Sequence, residues 1–147
     1  MTRVYVDMVA DLFHYGHANF LKQARQFGDY LLVGIHSDKV VEGYKRPPIM
    51  SMQERMDTVS SCRYVDQVIP DAPLTIDQEW ITVHNIDLVV HGDDFSDEMK
   101  RICYKTPIDL GIFRLVSYTP GVSTSELIKR IKKKYSRPVN LPSQFKK

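Results

Sequence analysis

His14 and His17 stand three residues apart with Gly16 between them, in the run Asp11-Leu12-Phe13-His14-Tyr15-Gly16-His17. Three to four residues complete a helical turn, so at a helix start the two imidazoles share one face. Gly16 has no Cβ, which lets a ligand approach the backbone there. The first turn of a helix offers unpaired N–H groups and the positive end of the helix dipole, and both attract an anion. Two imidazole donors beside such an end suit a phosphate. The plainer alternative is that one histidine caps the helix while the other is a satisfied surface or core residue.

Further polar groups lie along the chain: Lys45 in the basic loop Lys45-Arg46-Pro47-Pro48, the carboxylates of Gly92-Asp93-Asp94, and the hydroxyls of Ser123-Thr124-Ser125. Taken alone, Lys45 reads as a solvated lysine, the Asp pair as a turn and Ser123 as a helix cap. Their positions relative to the surrounding elements decide otherwise. Val4-Tyr5-Val6-Asp7 reads as a first strand, and the spacing of Phe20, Leu21, Ala24 and Phe27 predicts a helix over about 16–27, stopped by Gly28-Asp29. The apolar run 30–35 is a strand buried on both faces, and His36-Ser37-Asp38 opens a short helix ending near Gly43.

Ser51 and Glu54 make a capping box for a helix to about Cys62. Strands follow at 65–70, 86–91 and 112–116, with helices at about 76–84 and 97–105, the latter broken by Thr106-Pro107. A last helix starts at Ser123 with Leu127, Ile128 and Ile131 as its apolar stripe. Alternating strands and helices with short loops imply an α/β domain with a parallel sheet covered on both faces. Ligands of such folds bind at the carboxyl ends of the strands, at the switch point of the strand order. The His14, Lys45, Asp93–Asp94 and Ser123 clusters all follow strands and collect at that edge.

The chain of 147 residues suits one domain. Residues 1–128 carry 12 Lys and Arg against all 18 Asp and Glu, a net −6, whereas residues 129–147 carry 8 basic groups and no acid. The globular part is therefore mildly acidic, and nucleic acid is not an expected partner. The basic run Lys129-Arg130-Ile131-Lys132-Lys133-Lys134 reads mainly as a solvated helix face, with weak attachment to an anionic membrane surface as the alternative. Cys62 and Cys103 form neither a metal-spaced cluster nor a disulfide framework. The sequence has no signal-peptide pattern and no apolar run of about 18 residues, so a cytoplasmic protein is expected.

These motifs, in this order, resemble the cytidylyltransferases that couple CTP to phosphoethanolamine, phosphocholine or glycerol 3-phosphate. The resemblance covers about residues 3–131 and rests on the HxGH run, the Lys45 loop, Arg63-Tyr64-Val65-Asp66-Gln67-Val68, Gly92-Asp93-Asp94 and Thr119-Pro120-Gly121-Val122-Ser123-Thr124-Ser125. It implies a Rossmann-like, doubly wound sheet of about five strands of nucleotidyltransferase type, with residues 1–131 as catalytic domain and 132–147 as basic tail. It also implies that His14, His17 and Lys45 are catalytic. Nucleotide-binding roles fall to Val9, Ala10, Asp11, Gly16, Arg63, His91, Asp93, Asp94, Thr119, Val122, Ser123 and Thr124. Asp94 would serve the cytidine or a magnesium-linked triphosphate; no metal-ligating residue set is expected, since Mg²⁺ arrives with CTP.

The run Gln23-Ala24-Arg25 to Gly28-Asp29-Tyr30, together with Tyr15 and Pro47-Pro48, looks most like the ethanolamine-phosphate members. Asp7, Leu74 and Tyr104 are the expected phosphoalcohol contacts, Asp7 pairing with a primary ammonium. Leu74, where the choline type resembles tryptophan, places phosphocholine second; glycerol 3-phosphate comes third. The resemblance also implies a homodimer with Arg63 near the contact. Three departures stand out: Tyr118 where the family turn begins with arginine, Met8 where it has glycine, and Pro120 where an acid is common. Tyrosine supplies no fixed charge, so a weakened nucleotide-binding homologue is the competing expectation.

Overall fold

The computed structural model describes residues 1–138 and 140–146. Five strands, β1 (Arg3–Met8), β2 (Tyr30–Ile35), β3 (Gln67–Ile69), β4 (Leu88–Gly92) and β5 (Phe113–Val116), form one sheet in the order β3-β2-β1-β4-β5. All four pairings are parallel. The helices are α1 (Tyr15–Arg25), α2 (Asp38–Glu42), α3 (Met52–Ser60), α4 (Gln78–Val83), α5 (Asp97–Cys103), α6 (Lys105–Asp109) and α7 (Thr124–Tyr135).

The strand order reverses at β1, which makes the space between β1 and β4 the switch point. β1 stays in register with β2 from Arg3↔Tyr30 to Met8↔Ile35, but pairs with β4 only at Val4↔Leu88 and Tyr5↔Val89. Beyond those pairs β1 and β4 part, and a crevice opens between Met8 and Gly92. Side chains alternate across the pleat, and this sorts the core into two layers. Val4, Val6, Leu31, Val33 and Ile35 join Leu21, Ala24 and Val59 on the face covered by α1 and α3. Tyr5, Leu32 and Val89 join Ile76, Ile81, Cys103 and Tyr104 on the other.

Several local expectations are corrected. Helix α1 ends at Arg25, so Phe27 falls outside it and is 37% exposed. Gly28 is not a left-handed cap; a Cβ there would lie 2.5 Å from Thr2 O, so close backbone approach requires the glycine. Thr106-Pro107 does not break the helical pattern but lies in the first turn of α6, where a missing N–H goes unnoticed. Helix α7 extends past Ile131 to Tyr135 and buries none of its residues, with Ile131 half exposed. Among the described residues no helix is long and apolar enough to cross a membrane.

Candidate active site

The chain leaves β1 through a strained loop. Ala10 and Leu12 have φ of 60° and 48°, a region costing of order 1 kcal/mol or more for a residue with a Cβ. Such a conformation persists where its surroundings over-determine it. Asp11 accepts hydrogen bonds from the backbone N–H of Ile49 and Met50, both at 2.9 Å, and its carbonyl accepts from Thr124 Oγ1 at 2.7 Å. The Val9 carbonyl accepts from Arg55 Nη1 at 2.8 Å. One short loop thus ties together β1, the segment following Lys45, and the start of α7.

The two histidines then cap α1 reciprocally. His14 is the N-cap and its Nδ1 accepts from Gly16 N–H at 3.0 Å; His17 Nδ1 accepts from His14 N–H at 3.1 Å. Each Nδ1 is used as an acceptor, so each neutral ring carries its proton on Nε2. The rings tilt against each other with centroids 4.0 Å apart, and His17 also stacks on Phe13. Burial pulls the His17 pKa down to about 3, with His14 and Lys45 adding to it; burial also lowers that of His14. The pair therefore consists of neutral N–H donors. The capping alternative raised by the sequence is correct, and it fixes the tautomer that phosphate recognition needs. Gly16 lines the larger cavity, and packing also calls for it: a Cβ there would meet His14 Cε1 at 2.8 Å and Val122 Cγ1 at 3.1 Å.

A pH dependence follows. A histidine whose folded pKa lies below its unfolded value of about 6.5 takes up protons on unfolding, so stability rises with pH between about 3 and 6.5. Lowering the pH from 7 to 5 should cost on the order of 2 kcal/mol through His17 alone. Paired melting curves of the wild type and His17→Gln at both pH values measure this; equal acid sensitivity of the two proteins refutes it.

A cavity of about 380 Å³ opens at the switch point, lined by Met8, His14, Gly16, His17, Phe20, Lys45, Arg46, Gly92, Asp94 and residues 117–119 and 122–125. A smaller one of about 100 Å³ adjoins it, lined by Val9, Ala10, Asp11, His17, Val41, Lys45, Arg46, Pro48 and Thr124. The larger volume suits a small-molecule ligand. Thr119 Oγ1 accepts from Asn19 Nδ2 at 2.7 Å, which fastens the turn before α7 to α1. Ser123 caps α7 by accepting from Glu126 N–H, and its hydroxyl proton remains available to a ligand. Gly92 accommodates Asp94, whose Oδ1 would lie 2.8 Å from a Cβ there. Burial lowers the Lys45 pKa, Arg46 adds to the effect, and Asp11 and Asp94 oppose it.

Twelve of the expected residues therefore line the two cavities: His14, His17, Lys45, Val9, Ala10, Asp11, Gly16, Asp94, Thr119, Val122, Ser123 and Thr124. Six do not. Arg63 is exposed, stacked on the Tyr64 ring and hydrogen-bonded to its hydroxyl. Asp93 accepts from Tyr118 N–H at 2.8 Å and shapes the turn. His91 packs on Phe95 and Tyr104, its Nδ1 against the Gly92 carbonyl. Leu74 packs against the second core layer. Asp7 and Tyr104 are buried together, the Tyr104 hydroxyl donating to Asp7 Oδ1 at 2.5 Å. Asp7 Oδ2 is buried without a hydrogen-bond partner, 3.5 Å from His36 Nε2. Sequence reasoning missed Asn19, Phe20, Arg46 and the fully buried Arg55; only Arg46, beside Lys45 in a basic loop, carried a signal.

A parallel five-stranded sheet with neutral imidazoles, hydroxyls and a helix start converging on its switch point defines a nucleotidyltransferase-type α/β domain. The chain belongs to the cytidylyltransferase-like family, whose model matches residues 8–130. It is 46% identical over 133 residues to an ethanolamine-phosphate cytidylyltransferase of Dictyostelium discoideum, covering 87% of this chain and 37% of that protein. It is 40% identical over 147 residues to a probable ethanolamine-phosphate cytidylyltransferase of Schizosaccharomyces pombe, covering 96% and 40%. Choline-phosphate cytidylyltransferase A of Mus musculus is 42% identical over 136 residues, covering 90% and 37%. The chain thus spans 37–40% of the length of these three relatives. A solved structure titled as the lipopolysaccharide core biosynthesis protein from Thermoplasma volcanium GSS1 superposes with a TM-score of 0.66 at 25% identity, covering 83% of this chain and 99% of that one.

Proposed function

We propose that this chain transfers CMP from CTP to phosphoethanolamine, giving CDP-ethanolamine and pyrophosphate. The observation that carries the ethanolamine assignment is Asp7 Oδ2, one residue before the Met8 that lines the larger cavity: it is buried without a hydrogen-bond donor, and among the described residues its one ion-pair neighbour is His36 Nε2 at 3.5 Å. A buried carboxylate oxygen without a donor is costly. A primary ammonium supplies an N–H donor and a charge together; a quaternary ammonium supplies only charge, and glycerol only neutral hydroxyls. The ethanolamine-phosphate names among the relatives support the same choice.

The reaction needs no protein nucleophile. An oxygen of the substrate phosphate attacks the α-phosphorus of CTP, the bond to the β-phosphate oxygen breaks, and pyrophosphate departs with that electron pair. Positioning and charge stabilisation supply the catalysis. His14 and His17 donate Nε2–H bonds to phosphoryl oxygens as charge builds on them. Lys45, common to both cavities, offsets the repulsion between attacking and attacked phosphates. The Ser123 hydroxyl and the backbone N–H groups opening α7, that of Thr124 among them, hold the terminal phosphates, while the Thr124 hydroxyl stays on the Asp11 carbonyl.

Among the described residues no three His, Cys, Asp or Glu side chains gather into a metal cage. Asp94 alone brings a hard carboxylate oxygen to the larger cavity. That donor set would fit Mg²⁺ arriving with the triphosphate, with Asp94 the residue that would hold it. When bound, the ion neutralises charge on the triphosphate.

Incubating the protein with CTP, magnesium and each of the three phosphoalcohols, and measuring pyrophosphate release, tests the proposal. Release with phosphoethanolamine preferred supports it; no release with any of them rejects it. Asp7→Asn should raise the KM for phosphoethanolamine about 10- to 100-fold while leaving that for CTP unchanged, as loss of a charge-assisted hydrogen bond demands. An unchanged KM for phosphoethanolamine removes Asp7 from the site. The second reading, a nucleotide-binding module with weak turnover, is favoured by Tyr118, whose hydroxyl donates to Val122 O rather than presenting charge; it predicts CTP binding without release. A cytoplasmic homodimer with Arg63 near its contact, and weak attachment of the basic tail to anionic membranes, belong to the same proposal. Light scattering and salt-dependent co-sedimentation with anionic vesicles check them.

A further inference from the structure

The two cavities share a wall made by His17, Lys45, Arg46 and Thr124. Arg46 has no role in the mechanism above, yet its environment is unusual. Its Nε is buried without a hydrogen-bond partner, and among the described residues no carboxylate forms an ion pair with its guanidinium. An arginine cannot relieve this by losing its proton. Partly burying this guanidinium beside the Lys45 ammonium places two like charges together; Asp11 and Asp94 act on Lys45, but among the described residues no carboxylate pairs with Arg46, which is unfavourable until an anion arrives.

Both histidines are neutral donors, so among the described residues Lys45 and Arg46 supply the full positive charges lining the larger cavity. Tyr118 supplies none, since a phenol carries no positive charge; its hydroxyl donates to Val122 O. The anion implied is highly charged and bears paired oxygens, which a guanidinium fork recognises bidentately. Breaking the α–β bond moves charge onto the departing pyrophosphate.

We propose that Arg46 is a second phosphate-binding cation of this site, taking oxygens of the β- and γ-phosphates of the nucleoside triphosphate while Lys45 serves the junction between the two reacting phosphates. The proposal rests on the triphosphate reading of the cavity. It assigns to the Lys45 loop the guanidinium that the turn before α7 lacks.

The test uses the full chain, with Arg46→Gln and Arg46→Lys compared against the wild type. Calorimetry with magnesium pyrophosphate and with CTP gives affinities, steady-state assays give both KM values, and melting curves confirm folding. Arg46→Gln should weaken pyrophosphate and CTP about 10- to 100-fold, in keeping with a lost charge-assisted pair. Arg46→Lys should recover part of this, and the KM for phosphoethanolamine should stay unchanged. Wild-type affinity for both anions in Arg46→Gln overturns the proposal, and so does a rise confined to the KM for phosphoethanolamine. If the wild type turns over no phosphoalcohol but Arg46→Gln still loses pyrophosphate, the anion role stands and the transferase reading falls. A wild type that binds neither anion overturns both.

Discussion

Replacing His17 with alanine lowers kcat for pyrophosphate release by about 10³-fold, the upper range for removing one preorganised donor. The effect exceeds a single hydrogen bond because His17 Nδ1 is also the acceptor for His14 N–H, so the substitution frees His14 as it removes its neighbour. Stability should fall by only about 1 kcal/mol, the usual worth of a cap. Gly16→Ala reaches the same pair from the other side: its Cβ displaces the His14 ring, and kcat should drop about 10- to 100-fold with little change in KM. Kinetics of the two variants, with circular dichroism as a folding control, decide the matter. His17→Ala retaining more than about a tenth of wild-type kcat would falsify the donor role.

Arg55→Leu should destabilise the protein by about 3–5 kcal/mol, the range for breaking a buried charged network. Arg55 is fully buried, yet it spans three segments. It donates to the carbonyls of Val9 and His36, both at 2.8 Å, and of Met50 at 3.3 Å, and it pairs with Asp38 at 2.5 Å. Leucine fills much of the space but leaves the Val9 and His36 carbonyls without these donors in a dry interior. At roughly 2–4 °C per kcal/mol for a domain of this size, the melting temperature falls by about 10 °C. Arg55→Lys keeps the charge but not the fork, and should recover less than half of the loss. Differential scanning calorimetry of both variants checks this, and a shift below about 3 °C for leucine would show that the carbonyls find other partners. Because Val9 begins the strained loop carrying Asp11, catalysis should suffer even in the folded fraction.

The architecture could be anticipated because its determinants are local. Apolar runs of strand length, the Ser51–Glu54 capping box and the turn residues between elements each act within a few positions, and the box is present with both of its hydrogen bonds. The convergence of His14, Lys45, Asp94 and Ser123 on one sheet edge follows from the parallel topology alone. What escaped depends on partners distant in sequence. Gly28 reads as a helix stop because nothing nearby says that Thr2 O will pass 2.5 Å from where a Cβ would lie. Arg55, a charged residue within a helix, carries no local sign that the Val9 and His36 carbonyls, just beyond β1 and β2, will close around it. Asp7 and Tyr104, expected as partners of a primary ammonium, prove to be hydrogen-bonded to each other across 97 positions, a pairing that spacing does not encode.

The hydrogen bond from Thr124 Oγ1 to the Asp11 carbonyl joins positions 113 residues apart and fastens the start of α7 to the loop after β1. Long-range closures of this kind come late in folding, because the intervening chain must be ordered before the contact repays its entropy. During synthesis the histidine end of the cavity and the sheet beneath it are made first. The Ser123 hydroxyl proposed to hold the nucleotide arrives only with α7. A ribosome-bound chain stopped before residue 123 would therefore contain all five strands but lack the Ser123 hydroxyl and the helix start proposed to hold the terminal phosphates. Affinity for the nucleotide thus becomes a marker that the whole domain has been made and has closed upon itself.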